Sequence, residues 1–392
     1  MPDFFSPEPA MRKAICFLLI LLSGGVHSAA AQSNSVAHRR AARIGKGMNL
    51  TYLDNWWRGT KEKKYSDFVK AADAAKHEKM FAAIAEAGFK TVRIPVSFGA
   101  WANYEKPFRW THPENLKFVD SFVRWALKNN LNAIIDLHHV EFDGKIEGAA
   151  TTERIVWLWR EIAARYKNTD PERVFFELRN EPHDISAADW REQAEAIIKA
   201  VRPVAPRHTL IVGFHDWNSR AALIESKPFA AEAADANIIY TFHYYHPFLF
   251  THQGATWAGE GLAESANIPF PATGEMKLTV PETAKGKWTE NLFNNYLREA
   301  SGEWIFRELK EAKDWSEKNR VPIFLGEFGS YGKYAAPADR CRHAEAVYSA
   351  LGRLDIPNAW WEWSQGFNMF EPGTTKISRC MRKAIDSFDA RK

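Results

Sequence analysis

The chain has 392 residues, 46% hydrophobic and 26% charged, which suits a soluble protein with a sizeable core. That length fits two average domains or one large barrel. The formal net charge is +4 and no Lys/Arg run is concentrated anywhere, so neither nucleic acid nor an anionic membrane is expected as a partner.

The chain begins with the pattern of an export signal. Met11-Arg12-Lys13 gives a basic start, Ala14 to Leu22 an apolar stretch, and Ala29-Ala30-Ala31 a small-residue cleavage site. The apolar stretch is short for a membrane span. Residues 1–31 are therefore read as a signal region, with Met11 as an alternative start, and residues 32–392 as the mature chain, bound for the periplasm or the medium and free of the membrane. Cys16 would leave with the signal. The two remaining cysteines, Cys341 and Cys380, can form one disulfide in an oxidising compartment, or stay as separate buried thiols.

Apolar runs bounded by turn residues then recur at 44–51, 91–96, 132–139, 174–181, 209–214, 238–245, 322–328 and 358–363. Between them, apolar residues spaced three and four apart predict helices over 78–87, 116–128, 155–166, 189–201, 309–318 and 340–353. Eight strand runs alternating with helical stretches such as these, without a Ser/Thr- or Pro-rich linker, predict one α/β domain, a closed parallel (β/α)8 TIM barrel. The longest irregular stretch, 241–290, carries Trp257, Pro269, Phe270, Pro271 and Trp288, and is expected to wall a cleft on the active face.

Two carboxylates end strongly apolar runs: Glu181 in Arg179-Asn180-Glu181-Pro182, and Glu327 in Gly326-Glu327-Phe328-Gly329. Barrel enzymes keep their chemistry at the carboxyl ends of the strands. Two acids on different strands suggest the pair that cleaves a glycosidic bond, one protonating the leaving oxygen and the other attacking or activating water. Polar residues end other strands too: Arg93, His138, His243 with Tyr245, and Trp361 in Trp360-Trp361-Glu362-Trp363. Buried polar groups need partners, so these imply a shared network. The sixteen Trp residues suit the flat apolar faces of sugar rings, although many must pack the core.

In this ordered set the chain resembles glycoside hydrolase family 5, retaining β-glycanases on the (β/α)8 barrel. Arg93, His138, Asn180, Glu181, His243, Tyr245, Glu327 and Trp361 match the family's recurring active-site residues in type and order, from Gly47-Met48-Asn49-Leu50 on the first strand to Trp361 on the last. The run His243-Tyr244-Tyr245-His246-Pro247-Phe248 is similar to one branch of bacterial endoglucanases. The resemblance implies Glu181 as acid/base and Glu327 as nucleophile. It further implies Asn180 on the sugar 2-hydroxyl, His138 and His243 on hydroxyls or neighbouring groups, and Trp361 under the ring. His139 is a candidate second imidazole for sugar, and Glu362 either binds a hydroxyl or is structural. Trp56, Trp57 and Trp217 are candidate platforms or core.

Arg179 departs from the family, which usually has an apolar or small residue before Asn-Glu. Beside Glu181 it would weaken the acid, so it is expected to point elsewhere. No metal site is indicated, and the implied chemistry needs no cofactor. The reading is a secreted, monomeric endo-β-1,4-glucanase acting on polysaccharide or oligosaccharide. A β-1,4-mannanase or dual enzyme is the nearest alternative, and a non-catalytic sugar-binding barrel a more distant one.

Overall fold

The computed structural model describes residues 35–54, 71–138, 150–229, 237–363 and 365–390. Eight strands, β1 (Lys46–Asn49), β2 (Thr91–Val96), β3 (Asn132–Leu137), β4 (Val174–Glu177), β5 (Leu210–Val212), β6 (Ile238–His243), β7 (Ile323–Phe328) and β8 (Asn358–Trp360), pair in chain order and close β8 onto β1. Every pairing is parallel. This is the (β/α)8 barrel, with each strand inside its expected run.

Alternation along the strands sorts the core into two shells. Val92, Ile94, Ile135, Phe176, Tyr240 and Leu325 face outward onto the helices. Ile134, Phe175, Ile211, Ile239, Phe324 and Ala359 instead fill the barrel's interior. The main helices are α1 (Val36–Ile44), α2 (Ala71–Glu86), α3 (Leu116–Lys128), α4 (Thr152–Tyr166), α5 (Ala187–Val201), α6 (Arg220–Glu225), α7 (Glu290–Glu299), α8 (Gly302–Asn319), α9 (Pro337–Leu354) and α10 (Arg379–Asp386). The expected helices fall within α2–α5, α8 and α9, apart from one residue at the end of the first.

Sequence periodicity missed α1. This helix presents Ala37, Ala41 and Ile44 to the interior cluster and so closes the barrel floor. Its small apolar face is short, and Arg39-Arg40 and Arg43 mask it in a hydropathy pattern. Arg40 is buried there: its guanidinium donates to Glu172 (2.9 Å), to the Arg207 carbonyl (2.6 Å) and to Thr209 (2.9 Å). Cys341 on α9 and Cys380 at α10 form a disulfide, their Cα atoms 5.7 Å apart, rather than two separate thiols.

One irregularity positions chemistry. On β7 the alternation runs Ile323 out, Phe324 in, Leu325 out, Gly326 in, which would send Glu327 outward. The register instead shifts against both neighbouring strands around Gly326-Glu327. A bulge of this kind re-aims a side chain, and here Glu327 turns into the barrel mouth while Phe328 packs on Tyr348 and Trp360.

Candidate active site

Arg93 occupies the centre of the barrel mouth, fully buried on the inward face of β2. Its Nε and Nη2 donate to the two oxygens of Glu177 (2.7 and 2.9 Å). Nη1 donates to Asn49 (2.9 Å) and to Glu327 Oε1 (2.8 Å), and Nη2 to Asn180 (2.7 Å). Asp136 lies 3.0 Å from the same guanidinium. Burial works against the charge, yet Asp136, Glu177 and Glu327 hold the Arg93 pKa well above its ordinary value. A single cation thus ties β1, β2, β3, β4 and β7 together at the height where Glu327 enters.

Glu327 accepts on both oxygens. Tyr245 donates its hydroxyl to Oε2 at 2.9 Å, opposite the Arg93 bond to Oε1. Burial, and then the charges of Glu327 and Glu181, keep the Tyr245 proton in place, so it stays a donor. His243 bridges the two acids: its Nδ1 lies 2.6 Å from Glu181 Oε1 and 3.5 Å from Glu327 Oε2. Carboxylate oxygens of Glu181 and Glu327 come within 4.8 Å of one another. Burial pushes His243 down to about 4, so the imidazole is neutral around neutral pH.

Burial also raises Glu181 and Glu327 to about 7, and Asp136 likewise. Two carboxyls this close resist double ionisation, so near neutral pH they hold one proton between them. The donors decide where it resides. Glu327 has two fixed donors that favour its anion, whereas Glu181 meets a neutral imidazole and is partly open to solvent, so the proton belongs on Glu181.

The surrounding polar residues have defined partners. Asp136 receives His138 Nδ1 at 2.8 Å, which orients that ring, and Trp361 stacks on the His138 face with centroids 5.3 Å apart and planes at 9°. Arg179 points away from Glu181 as expected: it donates to Gln193 on α5 at 3.1 Å and lies over Trp190. Glu362 is buried with one oxygen accepting from Thr51 (2.7 Å) and the other from the Gln365 backbone (2.6 Å). Trp217 is exposed and stacks on His183 at 4.0 Å and 7°, just past Glu181. Residues 216–218 hold left-handed backbone angles there, uncommon for side-chain-bearing residues, and Trp217 donates its backbone N–H to Pro182. His139, Trp56, Trp57 and the signal region lie outside the described residues.

Of the expected cleft wall, Trp257 and Trp288 are exposed, and Trp257 meets Tyr331 edge-on at 5.0 Å. Phe270 is instead core, packed on Phe250 and His343, because the loop folds its middle back under α9. The expectation missed Asn49, Asp136 and Glu177 as members of the site. A buried Arg demands buried acids, so the inward-facing acids on the neighbouring strands were the available signal.

The family model for cellulase (glycosyl hydrolase family 5) matches residues 45–367, a span that includes all eight strands and both carboxyls. The chain belongs to glycosyl hydrolase family 5. As a member it is a glycoside hydrolase. It is 30% identical over 374 residues to Endoglucanase 3 of Fibrobacter succinogenes, covering 90% of this chain but 54% of that relative, so it spans about half that protein's length. It is also similar to solved structures of Thermotoga maritima Cel5A. The complex with cellobiose is 27% identical with a TM-score of 0.71, covering 88% of this chain and 99% of that one. The complex with mannotriose is 28% identical with a TM-score of 0.69 and the same coverage.

Proposed function

We propose that the chain is a secreted endo-β-1,4-glucanase that hydrolyses its substrate with retention of anomeric configuration, Glu181 serving as acid/base and Glu327 as nucleophile. The observation that carries this reading is the close approach of the two carboxyls, one oxygen of each lying within 4.8 Å of the other, with fixed donors on both oxygens of Glu327. Retaining enzymes hold the pair about 5–5.5 Å apart, whereas inverting ones need about 6.5–9.5 Å to admit a water.

In the first step Glu327 attacks the anomeric carbon while the Glu181 proton passes to the leaving oxygen, breaking the glycosidic bond and leaving a glycosyl ester. That ester removes the negative charge beside Glu181, whose pKa falls, so Glu181 can take a proton from the water that cleaves the ester. Arg93 and Tyr245 hold Glu327 for attack, Asn180 is fixed by Arg93 to meet the 2-hydroxyl, and Trp361 backed by His138 offers a flat face to the ring.

Reducing-sugar release from a soluble β-1,4-glucan tests the assignment. Wild type should release sugar, and Glu327→Ala should lose several orders of magnitude, with added azide restoring an inverted product. Wild-type silence on glucan would reject the glucanase reading. Mannan is the second substrate to assay, because Thermotoga maritima Cel5A has been solved with mannotriose as well as cellobiose. Sugar binding without turnover on either polymer would favour a non-catalytic barrel. Export is tested by the N-terminal sequence of the secreted protein, expected to begin at residue 32.

A further inference from the structure

Tyr245 and His243 both touch the carboxyl pair, and both belong to the β6 exit, Phe242 to Pro247. Their neighbours Tyr244 and His246 point the opposite way, as alternation requires, out of the barrel toward α8. Both meet Glu308, a buried acid on α8 with no part in the site described above. The Tyr244 hydroxyl donates to Glu308 Oε2 at 2.8 Å, and His246 Nδ1 lies 3.1 and 3.3 Å from the two oxygens. A third donor, Arg220 Nη2, reaches Oε1 at 2.8 Å. Arg220 follows Ser219, which caps α6 and pairs as a parallel bridge with His243. The backbone N–H of Tyr244 donates to the Glu327 carbonyl at 2.9 Å.

Glu308 therefore grips three points that flank the two contacts of the carboxyl pair. We propose that Glu308 is a positioning residue: from the helix layer it sets where Tyr245 and His243 stand against Glu327 and Glu181. This rests on the catalytic reading of that pair. A structural anchor alone would require less. One hydrogen bond would tether the segment, whereas a buried carboxylate holding three donors on two segments fixes direction as well as position. Burial opposes ionisation of Glu308, but hydrogen bonding and charge from His246, then the Arg220 charge and the Tyr244 bond, hold its pKa below the ordinary value. The other charges near the cluster are Glu311, which pairs with the outer face of Arg220, and Glu299, which acts on Tyr244.

The test compares wild type, Glu308→Gln and Glu308→Asp on soluble β-1,4-glucan, with Asp314→Asn on the exposed face of α8 as control. Folding is checked by circular dichroism and melting temperature. Glu308→Gln should lower kcat about 10- to 100-fold with KM within about twofold, the size expected for slight misplacement of reacting groups. Both limbs of its kcat–pH profile should move, because the donors around the pair move. Glu308→Asp keeps the charge and should recover part of kcat, and the control should match wild type. A folded Glu308→Gln with unchanged kcat and pH profile overturns the inference while leaving the catalytic reading intact. Wild-type inactivity on glucan and mannan overturns both. Should Glu308→Gln fail to fold, Tyr244→Phe, which removes one hydroxyl, carries the same readouts: a shifted pH profile supports the inference, and an unshifted one overturns it.

Discussion

The two ends of the barrel are built from the same strands and obey opposite rules. Toward the floor, the inward positions are Ile134, Phe175, Ile239 and Phe324, sealed from below by α1. Further along the same strands, the inward positions become Asp136, Glu177, His243 and Glu327 around Arg93. Full burial of each large apolar side chain at the floor contributes roughly 1.5–3 kcal/mol. At the mouth, an excess of buried acid over base costs free energy that the floor and the helix layer must offset. The contrast separates residues that hold the fold from residues held by it, and each region can be disturbed without the other.

The largest effect expected from such a disturbance is at the mouth. Glu181→Ala should slow hydrolysis of unactivated glucan about 10²- to 10⁴-fold, the usual worth of a positioned general acid. An aryl glycoside with an acidic phenol leaving group should be much less affected in its first step, and azide should give a product of retained configuration. Equal losses on both substrates would break the acid assignment. Melting temperature should stay near wild type.

The floor should respond in the opposite sense. Phe175→Ala removes a ring at the centre of the interior cluster and should cost about 3–5 kcal/mol in urea unfolding. Below the unfolding transition kcat should remain within about twofold of wild type. A large kcat loss in this variant would mean the two ends are coupled, and the division would fail. Between the ends lies Gly326, the bulge residue on β7. A Cβ there would come 2.8 Å from Thr241 Oγ1 and 3.1 Å from His243 Nε2. Gly326→Ala should therefore disturb both ends, with a kcat loss of about tenfold and a stability loss of about 1–3 kcal/mol, measured by kinetics and melting on the same sample.

The same division explains what could be read from the chain. The eight strands were legible because each is buried on both faces and so reads as an apolar run. Helices such as Leu116–Lys128 were legible because one face is apolar at helical spacing. Glu181 and Glu327 stood out as acids closing such runs. Asp136 and Glu177 did not, because the demand of a buried Arg93 for acids points to them only once β3 and β4 are known to lie beside β2 with these positions facing inward. The bulge that turns Glu327 inward is a matter of register between strands far apart in sequence, so strict alternation would have placed this acid outside. The small-faced α1 is defined by the interior it covers, and that interior exists only once the barrel closes. Glu308 is an extreme case: nothing near it in sequence shows that Tyr244, His246 and Arg220 converge on it.

The smallest expected effect also distinguishes the two regions, through pH. Asp136, Glu181 and Glu327 have folded pKa values raised to about 7, so the folded state holds protons that the unfolded chain releases above its ordinary carboxyl pKa of about 4. Their contribution to stability falls as pH rises from about 4 through 7. His208, His243 and His343 are lowered to about 4 and His252 to about 3, each chiefly by burial. The unfolded chain takes up these protons first, so their contribution falls as pH drops from about 6.5 toward 3. The two sets oppose each other between about pH 4 and 6.5, where stability should vary little. Above about 6.5 the acids act alone, and all three lie at the mouth. Glu327→Gln removes one of them without changing its shape. It should raise the melting temperature at pH 8 by about 1–2 °C, the equivalent of about 1 kcal/mol in a chain of this size, and leave it unchanged at pH 5, where wild-type Glu327, raised to about 7, already carries a proton. Equal shifts at both pH values would show that the alkaline loss of stability does not come from the mouth. A shift at pH 8 alone would locate that cost in a carboxyl that the proposed chemistry requires to be ionised.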